Sequence, residues 1–568
     1  MTLDERREYQ LSDRYRADAG TVFMTGIQAL ARVPVDQLRA DRAAGLNTAA
    51  FCSGYQGSPL SAMAEEFTRA AEHAPQLDIV VRPKLNEELA ATSVMGSQLA
   101  PGQPDAKYDG VVGFWYGKAP GLDRAGDAIR HGVYVGASPK GGAVVLVGDD
   151  PAAKSSTVPS SSDLALMDLH LPIFYPGDVQ EVLDLGRHAV AMSRATGLWT
   201  SMKIVTAVAD GSGTVDVSAG RTRIVIPDMH IDGAPDEHTP DGRLLPPINM
   251  AIEKDIRTVR LERALRYSSA NDLNRLTVDP SDAWIGIAAC GITYHEVREA
   301  LRRLGLGTDA EVEAAGIRLL QVQLPLPFDG EVARRLGRAV EEIVVVEEKN
   351  PTLELLVKDA LYGSAAAPRV VGKWDPDGAE LIPNYGIITA DTITPALRRR
   401  LEGRLGDRLA PPPPPARAKA LIPLTVQRAP YFCSGCPHNW GSKVPDDALV
   451  GAGIGCHTMT LLMDEERVGT TAGLTQMGGE GAQWIGMSPF VDREHFIQNL
   501  GDGTFFHSGQ LAIQAAIAAG VNITYKLLHN GTVAMTGGQD PAGQIDVPTI
   551  ADVLIDQGVR RGIITADD

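Results

Sequence analysis

Residues 495–532 read HFIQNLGDGTFFHSGQLAIQAAIAAGVNITYKLLHNGT, and the order of apolar runs and glycines in this stretch sets the fold class. The run 495–500 predicts a strand and Gly501-Asp502-Gly503 a turn. After a loop over Thr504–Ser508, GQLAIQAAIAA (509–519) predicts a helix, with Gly520 where a C-cap belongs. VNITYKLL (521–528) predicts the next strand, ended by His529-Asn530-Gly531-Thr532. The pattern is a β-turn-α-β unit with a glycine-rich turn at a helix N-terminus. Such an end offers free backbone N–H groups and the positive pole of the helix dipole, which suits a phosphate.

Working outward, the same unit recurs. Strands are expected at Thr48–Cys52, Asp78–Val81, Val111–Trp115 and Ala143–Val147. They end in the loops Ser53–Pro59, Tyr116-Gly117-Lys118 and Gly148-Asp149-Asp150, and strand ends are where ligands gather in open α/β sheets. LSAMAEEFTRAAEH (60–73) and a run opening near Asn86 read as helices. Residues 215–250, rich in Gly, Pro and Asp, read as irregular. A second set starts at Ala283–Ile287 and continues through HEVREALRRLGL (295–306) and EEIVVVEE (341–348). Five consecutive prolines at 411–415 form a polyproline spacer rather than part of a core. The expected fold class is therefore α/β, several domains with mostly parallel, doubly wound sheets.

The chain's 568 residues leave room for three or four domains. Its net charge of −18 and the lack of a basic stripe exclude nucleic acid as an expected partner. The charged N-terminus MTLDERREYQLSDRY lacks the apolar core of a signal peptide, and no stretch reaches the roughly 20 apolar residues that span a bilayer. The expectation is a cytoplasmic protein with no membrane partner. Five cysteines in so long a chain argue against a disulfide framework. Cys52 and Cys290 fall on or beside strands and read as buried small apolar residues. Cys433, Cys436 and Cys456 fall within 24 positions and point to a metal or cluster.

The turn and the cysteines carry the chemistry. A bound diphosphate needs its charge balanced, and Mg²⁺ takes oxygen ligands. Asp502 offers a carboxylate, Asn530 an amide oxygen 28 positions later, and Thr532 a backbone carbonyl. A Gly-Asp-Gly alone is as compatible with a capped turn; followed at this spacing by Asn530 and by Met535-Thr536-Gly537-Gly538-Gln539 it is far more specific. CSGCPHN (433–439) with GIGCH (453–457) suits zinc, with His438 or His457 as the fourth ligand. It equally suits a [4Fe–4S] cluster short of one thiolate.

The combination resembles the 2-oxoacid:ferredoxin oxidoreductases, and within them the long, fused form of indolepyruvate ferredoxin oxidoreductase. The resemblance rests on CSGCPHN, GIGCH, TQMGGEG (475–481), GDGTFFHSG (501–509), TGIQALARVP (25–34), AAGLNTAAFCSGYQGSP (43–59), FWYGKAPGLDR (114–124), GDDPAAKSST (148–157) and VVVEEKNP (344–351). It implies thiamine-diphosphate-enzyme-type domains. These are a pyrimidine-binding domain with an activating glutamate over 1–220, an irregular connector over 221–275 and a transketolase C-terminal-like α/β domain over 276–408. A Pro-rich linker over 409–422 then leads to a diphosphate and Mg-binding domain over 423–568. It implies oxidative decarboxylation of a 2-oxoacid, an arylpyruvate such as indolepyruvate, to acyl-CoA, with ferredoxin as electron acceptor.

By the resemblance, Glu87 aligns with the carboxylate that polarises the aminopyrimidine of thiamine diphosphate. Read from the residues alone, Glu87 and Glu88 are first-turn acids complementing a helix dipole. Tyr55 and Ser58 lie in the loop that faces the substrate, and Lys118 supplies positive charge there or is a solvated loop lysine. Gly501, Asp502, Gly503, Thr504, His507, Asn530, Thr532, His438, Gly455 and Cys456 carry over as cofactor contacts, with Asp502, Asn530 and Thr532 on Mg²⁺. Cys433, Cys436 and Cys456 carry over as [4Fe–4S] ligands. The family's fourth cysteine follows the MTGGQ segment, and the chain is expected to be incomplete there: the N-terminal half of a fused enzyme, a split subunit or a truncated product. A homodimer, or a C-terminal partner domain or subunit, is expected. The alternatives are a non-redox thiamine-dependent decarboxylase with a zinc or vestigial cysteine site, and a half-protein inactive without a partner chain.

Overall fold

The computed structural model describes residues 9–412 and 431–566. Most of the expected linker 409–422 thus lies outside the described residues. The chain forms two compact units, one of residues up to 83 and from 87 to 412, the other of 84–86 with those from 431 onward.

Strands buried on both faces read as mostly apolar runs, and this is what builds the first sheet of the larger unit. Its strands are β2 (Thr48–Gly54), β3 (Ile79–Val81), β4 (Gly110–Lys118), β5 (Ala143–Asp149), β6 (Ile173–Phe174) and β7 (Thr200–Val205). They lie in the order β3-β2-β4-β5-β7-β6 with every pair parallel. An antiparallel ribbon, β1 (Thr21–Thr25) with β8 (Ser212–Asp216), accompanies it. β1 runs straight into the helix Gly26–Ala43, because Thr25 and Gln28 form a reciprocal capping box. Two expected loops prove to be strand. β4 continues through Tyr116-Gly117-Lys118, and β5 takes in Gly148-Asp149. Gly54 pairs with Tyr116, and a Cβ on Gly54 would lie 2.1 Å from the Tyr116 carbonyl oxygen, so a glycine lets the two strands stay paired to their ends.

The second sheet holds β9 (Asn274–Val278), β10 (Ile285–Cys290), β11 (Ile317–Val322), β12 (Glu342–Val346) and β13 (Arg369–Val371). Its order is β13-β12-β10-β11-β9, parallel except for the edge strand β9. Residues 248–270, inside the stretch read as an irregular connector, are helical: Ile248–Asp255, a π turn over Ile256–Arg260, then Leu261–Ala270. Ile256, Ala264 and Tyr267 bury one face of this segment.

The smaller unit contains β14 (Leu449–Ala452), β15 (Thr470–Leu474), β16 (Phe496–Gly501) and β17 (Ile523–Leu528). All pairs are parallel in the order β15-β14-β16-β17. The expected loop 504–508 is helical. The helix starts at Asp502, widens to a π turn over Phe505–Gly509 and continues over Gln510–Ala519. The π turn lets consecutive Phe505 and Phe506 both pack with Leu500 and Ile513. Gly520 caps the helix in the left-handed conformation, as the sequence predicts. Among the described residues no helix is long and apolar enough to cross a membrane.

Candidate active site

Parallel pairing of β16 with β17 places Gly501 level with Leu528, so Asp502 and Asn530 emerge side by side from neighbouring strand ends. Asp502 is buried, and its carboxylate accepts three backbone N–H groups. Gly503 N lies 2.9 Å from Oδ1, while Asn530 N (3.0 Å) and Gly531 N (2.7 Å) reach Oδ2. A carboxylate has about four acceptor positions, which leaves room for a cation. The Asn530 amide oxygen takes the Thr532 N–H at 3.1 Å and closes the turn. Thr504 is buried at the start of the helix. Its hydroxyl donates to the Ile454 carbonyl at 3.1 Å, so the side chain staples the 453–457 loop to the Asp502 turn. His507 is buried with Nδ1 at 2.6 Å from the Ser508 hydroxyl.

Beneath this turn lies a buried polar layer. His457 is 0% exposed, and neither ring nitrogen has a hydrogen-bond partner. Burial, then the neighbouring His438, pushes its pKa down to about 3, so the imidazole is neutral. Strand alternation puts Asn499 on the same face of β16 as Gly501, and both its amide atoms are also unpartnered. His438 is buried too. Burial lowers its pKa while Asp502 opposes the shift, which places it in the field of that carboxylate. Glu480 is 0% exposed beside Gly453. It accepts the Gly478 N–H at 2.7 Å, and burial pushes it up to about 7. His438 and His457 stand in the sequence as possible zinc ligands, whereas Asn499 carries no spacing signal and only burial marks it.

Cys433 is exposed, and Cys436 and Cys456 are half-buried. Cys436 Sγ lies 3.3 Å from His438 Nδ1. Burial raises the Cys456 pKa, and the thiols of Cys436 and Cys433 raise it further, so the three share one neighbourhood. Among the described residues the only His/Cys/Asp/Glu group whose ligand atoms all lie within 4.8 Å is Asp178, Glu181 and His295. That group is accounted for by helix capping and an ion pair, with Asp178 accepting the Glu181 N–H and Glu181 lying 3.4 Å from His295.

In the larger unit, Glu87 opens the helix Glu87–Leu99 and is buried. Its backbone carbonyl accepts the Trp115 indole N–H at 2.9 Å. A Cβ on Gly121 would lie 2.9 Å from its Cγ and Oε1, so a glycine makes room for the carboxylate. Burial, then Glu87, raises the Tyr55 pKa, which keeps the phenol protonated. Burial lowers the Lys118 pKa, while Glu87 and Asp150 oppose it. Lys118 therefore faces two carboxylates from the last position of β4 and is half-buried rather than solvated. A Cβ on Gly57 would lie 2.9 Å from Lys118 Cδ, so the 54–58 loop closes over this lysine. Tyr55, Lys118 and Glu87 are thus brought together, and Ser58 sits half-buried in the same loop.

Two family descriptions match the chain. "Indolepyruvate oxidoreductase domain" covers residues 275–410, and "Thiamine pyrophosphate enzyme, C-terminal TPP binding domain" covers 453–551. Among curated proteins it is 26% identical over 544 residues to indolepyruvate oxidoreductase subunit IorA of Archaeoglobus fulgidus, a match covering 93% of this chain and 77% of that one. It is also 26% identical over 548 residues to subunit IorA of Methanothermobacter thermautotrophicus, covering 94% and 79%. Among solved structures it aligns with 2-oxoglutarate:ferredoxin oxidoreductase from Magnetococcus marinus at a TM-score of 0.48 and 14% identity, over 67% of this chain and 65% of that one. It aligns with a split-gene transketolase at 0.38 and 16% identity, over 66% and 98%. The family and curated matches make the chain similar to the indolepyruvate oxidoreductase IorA subunits, with a match to a thiamine pyrophosphate binding domain in its last third.

Proposed function

We propose that this chain catalyses the oxidative decarboxylation of an arylpyruvate-type 2-oxoacid to acyl-CoA, with ferredoxin as electron acceptor and a partner subunit completing the assembly. The observation that carries the reading is the Asp502 turn, a buried carboxylate beside Asn530-Gly531 at the start of a helix, within the segment matching the TPP binding domain. The relatives' naming as IorA subunits supports the partner subunit.

Asp502 and Asn530 hold Mg²⁺, with the Thr532 carbonyl as a third oxygen. Backbone N–H groups at the helix start take the diphosphate. When bound, thiamine diphosphate supplies the electron sink for decarboxylation. Glu87 holds a proton at the pyrimidine ring nitrogen. Lys118 and Ser58 orient the substrate carboxylate, and the protonated Tyr55 phenol helps exclude water. Cys433, Cys436 and Cys456 bind a [4Fe–4S] cluster.

Calorimetry tests the anchor: the chain should bind thiamine diphosphate with Mg²⁺, and Asp502→Ala should weaken that binding at least about 100-fold. Unchanged affinity in that variant would remove the site. Glu87→Gln should bind the cofactor within about threefold yet lose at least about 100-fold in CO₂ release. Anaerobic metal analysis should find iron; stoichiometric zinc would favour the non-redox decarboxylase.

A further inference from the structure

His457 has no place in the chemistry above, yet its surroundings give it one. Its side chain is fully buried, and both ring nitrogens lack partners. The Nδ1–Cε1 edge is aimed at two glycines. A Cβ on Gly455 would lie 2.9 Å from Cε1 and 3.1 Å from Nδ1, and one on Gly501 would lie 3.5 Å and 3.8 Å from the same atoms. Gly455 has a φ of +146°, which favours glycine, so the ring edge faces backbone that resists a side chain. The Thr504–Ile454 hydrogen bond holds the two glycine turns together. Asn499, on the Gly501 face of β16, adds two more buried unpartnered atoms. A buried polar atom is costly to leave unsatisfied, so their concentration under one turn marks a place where a ligand or water completes them. An imidazole carries at least one N–H, and a phosphate oxygen is an acceptor of matching kind.

We propose that His457 is a positioning residue for the diphosphate end of thiamine diphosphate, donating Nδ1–H to a terminal phosphate oxygen beside the Gly455 and Gly501 turns. This rests on the reading of the Asp502 turn as the Mg–diphosphate anchor. The test titrates Mg²⁺ with thiamine diphosphate, and Mg²⁺ with inorganic pyrophosphate, into the full chain and its Asp502→Ala, His457→Phe and His457→Gln variants, with near-ultraviolet circular dichroism as the check on folding. His457→Phe should weaken both ligands about tenfold, the worth of one hydrogen bond, and His457→Gln, which keeps an amide donor, should stay within about threefold. Wild-type affinity in a folded His457→Phe, with binding lost in Asp502→Ala, would overturn the role of His457 and leave the anchor standing. Unchanged affinity in Asp502→Ala would instead remove the anchor. A second readout does not depend on the phenylalanine variant folding. In wild-type chain labelled with ¹⁵N-histidine, the His457 Nδ1 signal, identified by its loss in His457→Gln, should move on adding Mg²⁺-pyrophosphate. An unmoved signal would overturn the proposal, and a buried water would then be the partner.

Discussion

A single buried carboxyl shows how the smaller unit couples to pH. Glu480 is 0% exposed, and its Oε1 has no partner. A Cβ on Gly453 would lie 2.5 Å from its Cγ, so a glycine admits this side chain under the 453–457 loop. Burial raises its pKa from 4.5 to about 7 against the pull of backbone N–H groups. The folded state therefore binds this proton more tightly than the unfolded state. The stability it contributes is full below about pH 4.5 and is lost as pH rises through about 7, a change on the order of 3 kcal/mol. Asp149, pushed up to about 6, and Glu347, pushed up to about 7, act in the same direction in the larger unit. The wild-type chain should thus lose stability between pH 5 and 8, and Glu480→Gln should lose less over that range. Parallel unfolding curves for the two proteins would show that Glu480 is not the group concerned. Glu480 was in view in the sequence as part of TQMGGEG, but its burial was not, because spacing reports neighbours along the chain and not the dielectric around a side chain.

At the scale of elements, the legible features were those that local chemistry dictates. Continuous apolar runs marked the buried parallel strands, and Gly520 marked a helix end. What stayed hidden was decided by packing between elements. The helix starting at Asp502 needs a π turn to seat Phe505 and Phe506, and no periodicity in the sequence announces it. β4 outruns its predicted end because Gly54 of the neighbouring strand admits the Tyr116 carbonyl. The crossing of helices Gly26–Ala43 and Val179–Thr196 is set in the same way. A Cβ on Gly186 would lie 2.5 Å from Val33 Cγ2. Alanine is the better helix former by about 1 kcal/mol, so propensity alone predicts that Gly186→Ala stabilises. The contact predicts the opposite sign, a net loss of about 1–3 kcal/mol from overpacking. Urea denaturation should show that loss, and adding Val33→Ala should recover more than half of it. A Gly186→Ala chain at least as stable as wild type would mean that the helices separate at no cost.

At the scale of the whole chain, the residues with a local signature were legible and those defined by convergence were not. Asp502 and Asn530 were found because 28 residues make one strand-helix-strand step, and the two do emerge on adjacent strands. Glu87, Tyr55 and Lys118 had only family resemblance to join them, and their meeting depends on β2 and β4 pairing through to Gly54 and Tyr116. The same limit hid the buried charge nest of the larger unit. Lys203 on β7 lies 2.7 Å from Asp163 and 3.5 Å from Asp149 at the end of β5, and 4.8 Å from the Tyr175 ring centroid. Burial alone would lower the Lys203 pKa, and Asp163 and Asp149 reverse the shift, with Glu348 beyond the end of β12 adding to it. Charges from both sheets of this unit therefore converge on one ammonium. A buried ion pair adds little net stability over an apolar substitute, but removing one partner strands the other charge in low dielectric. Lys203→Met should cost about 3–5 kcal/mol, because two buried carboxylates lose their counter-charge at once. Lys203→Met with Asp163→Asn should recover more than half of that, since one stranded charge is gone. Chemical denaturation of the three proteins at pH 7 measures both steps. A single variant within about 1 kcal/mol of wild type would show that protons on the carboxylates, rather than Lys203, balance the nest.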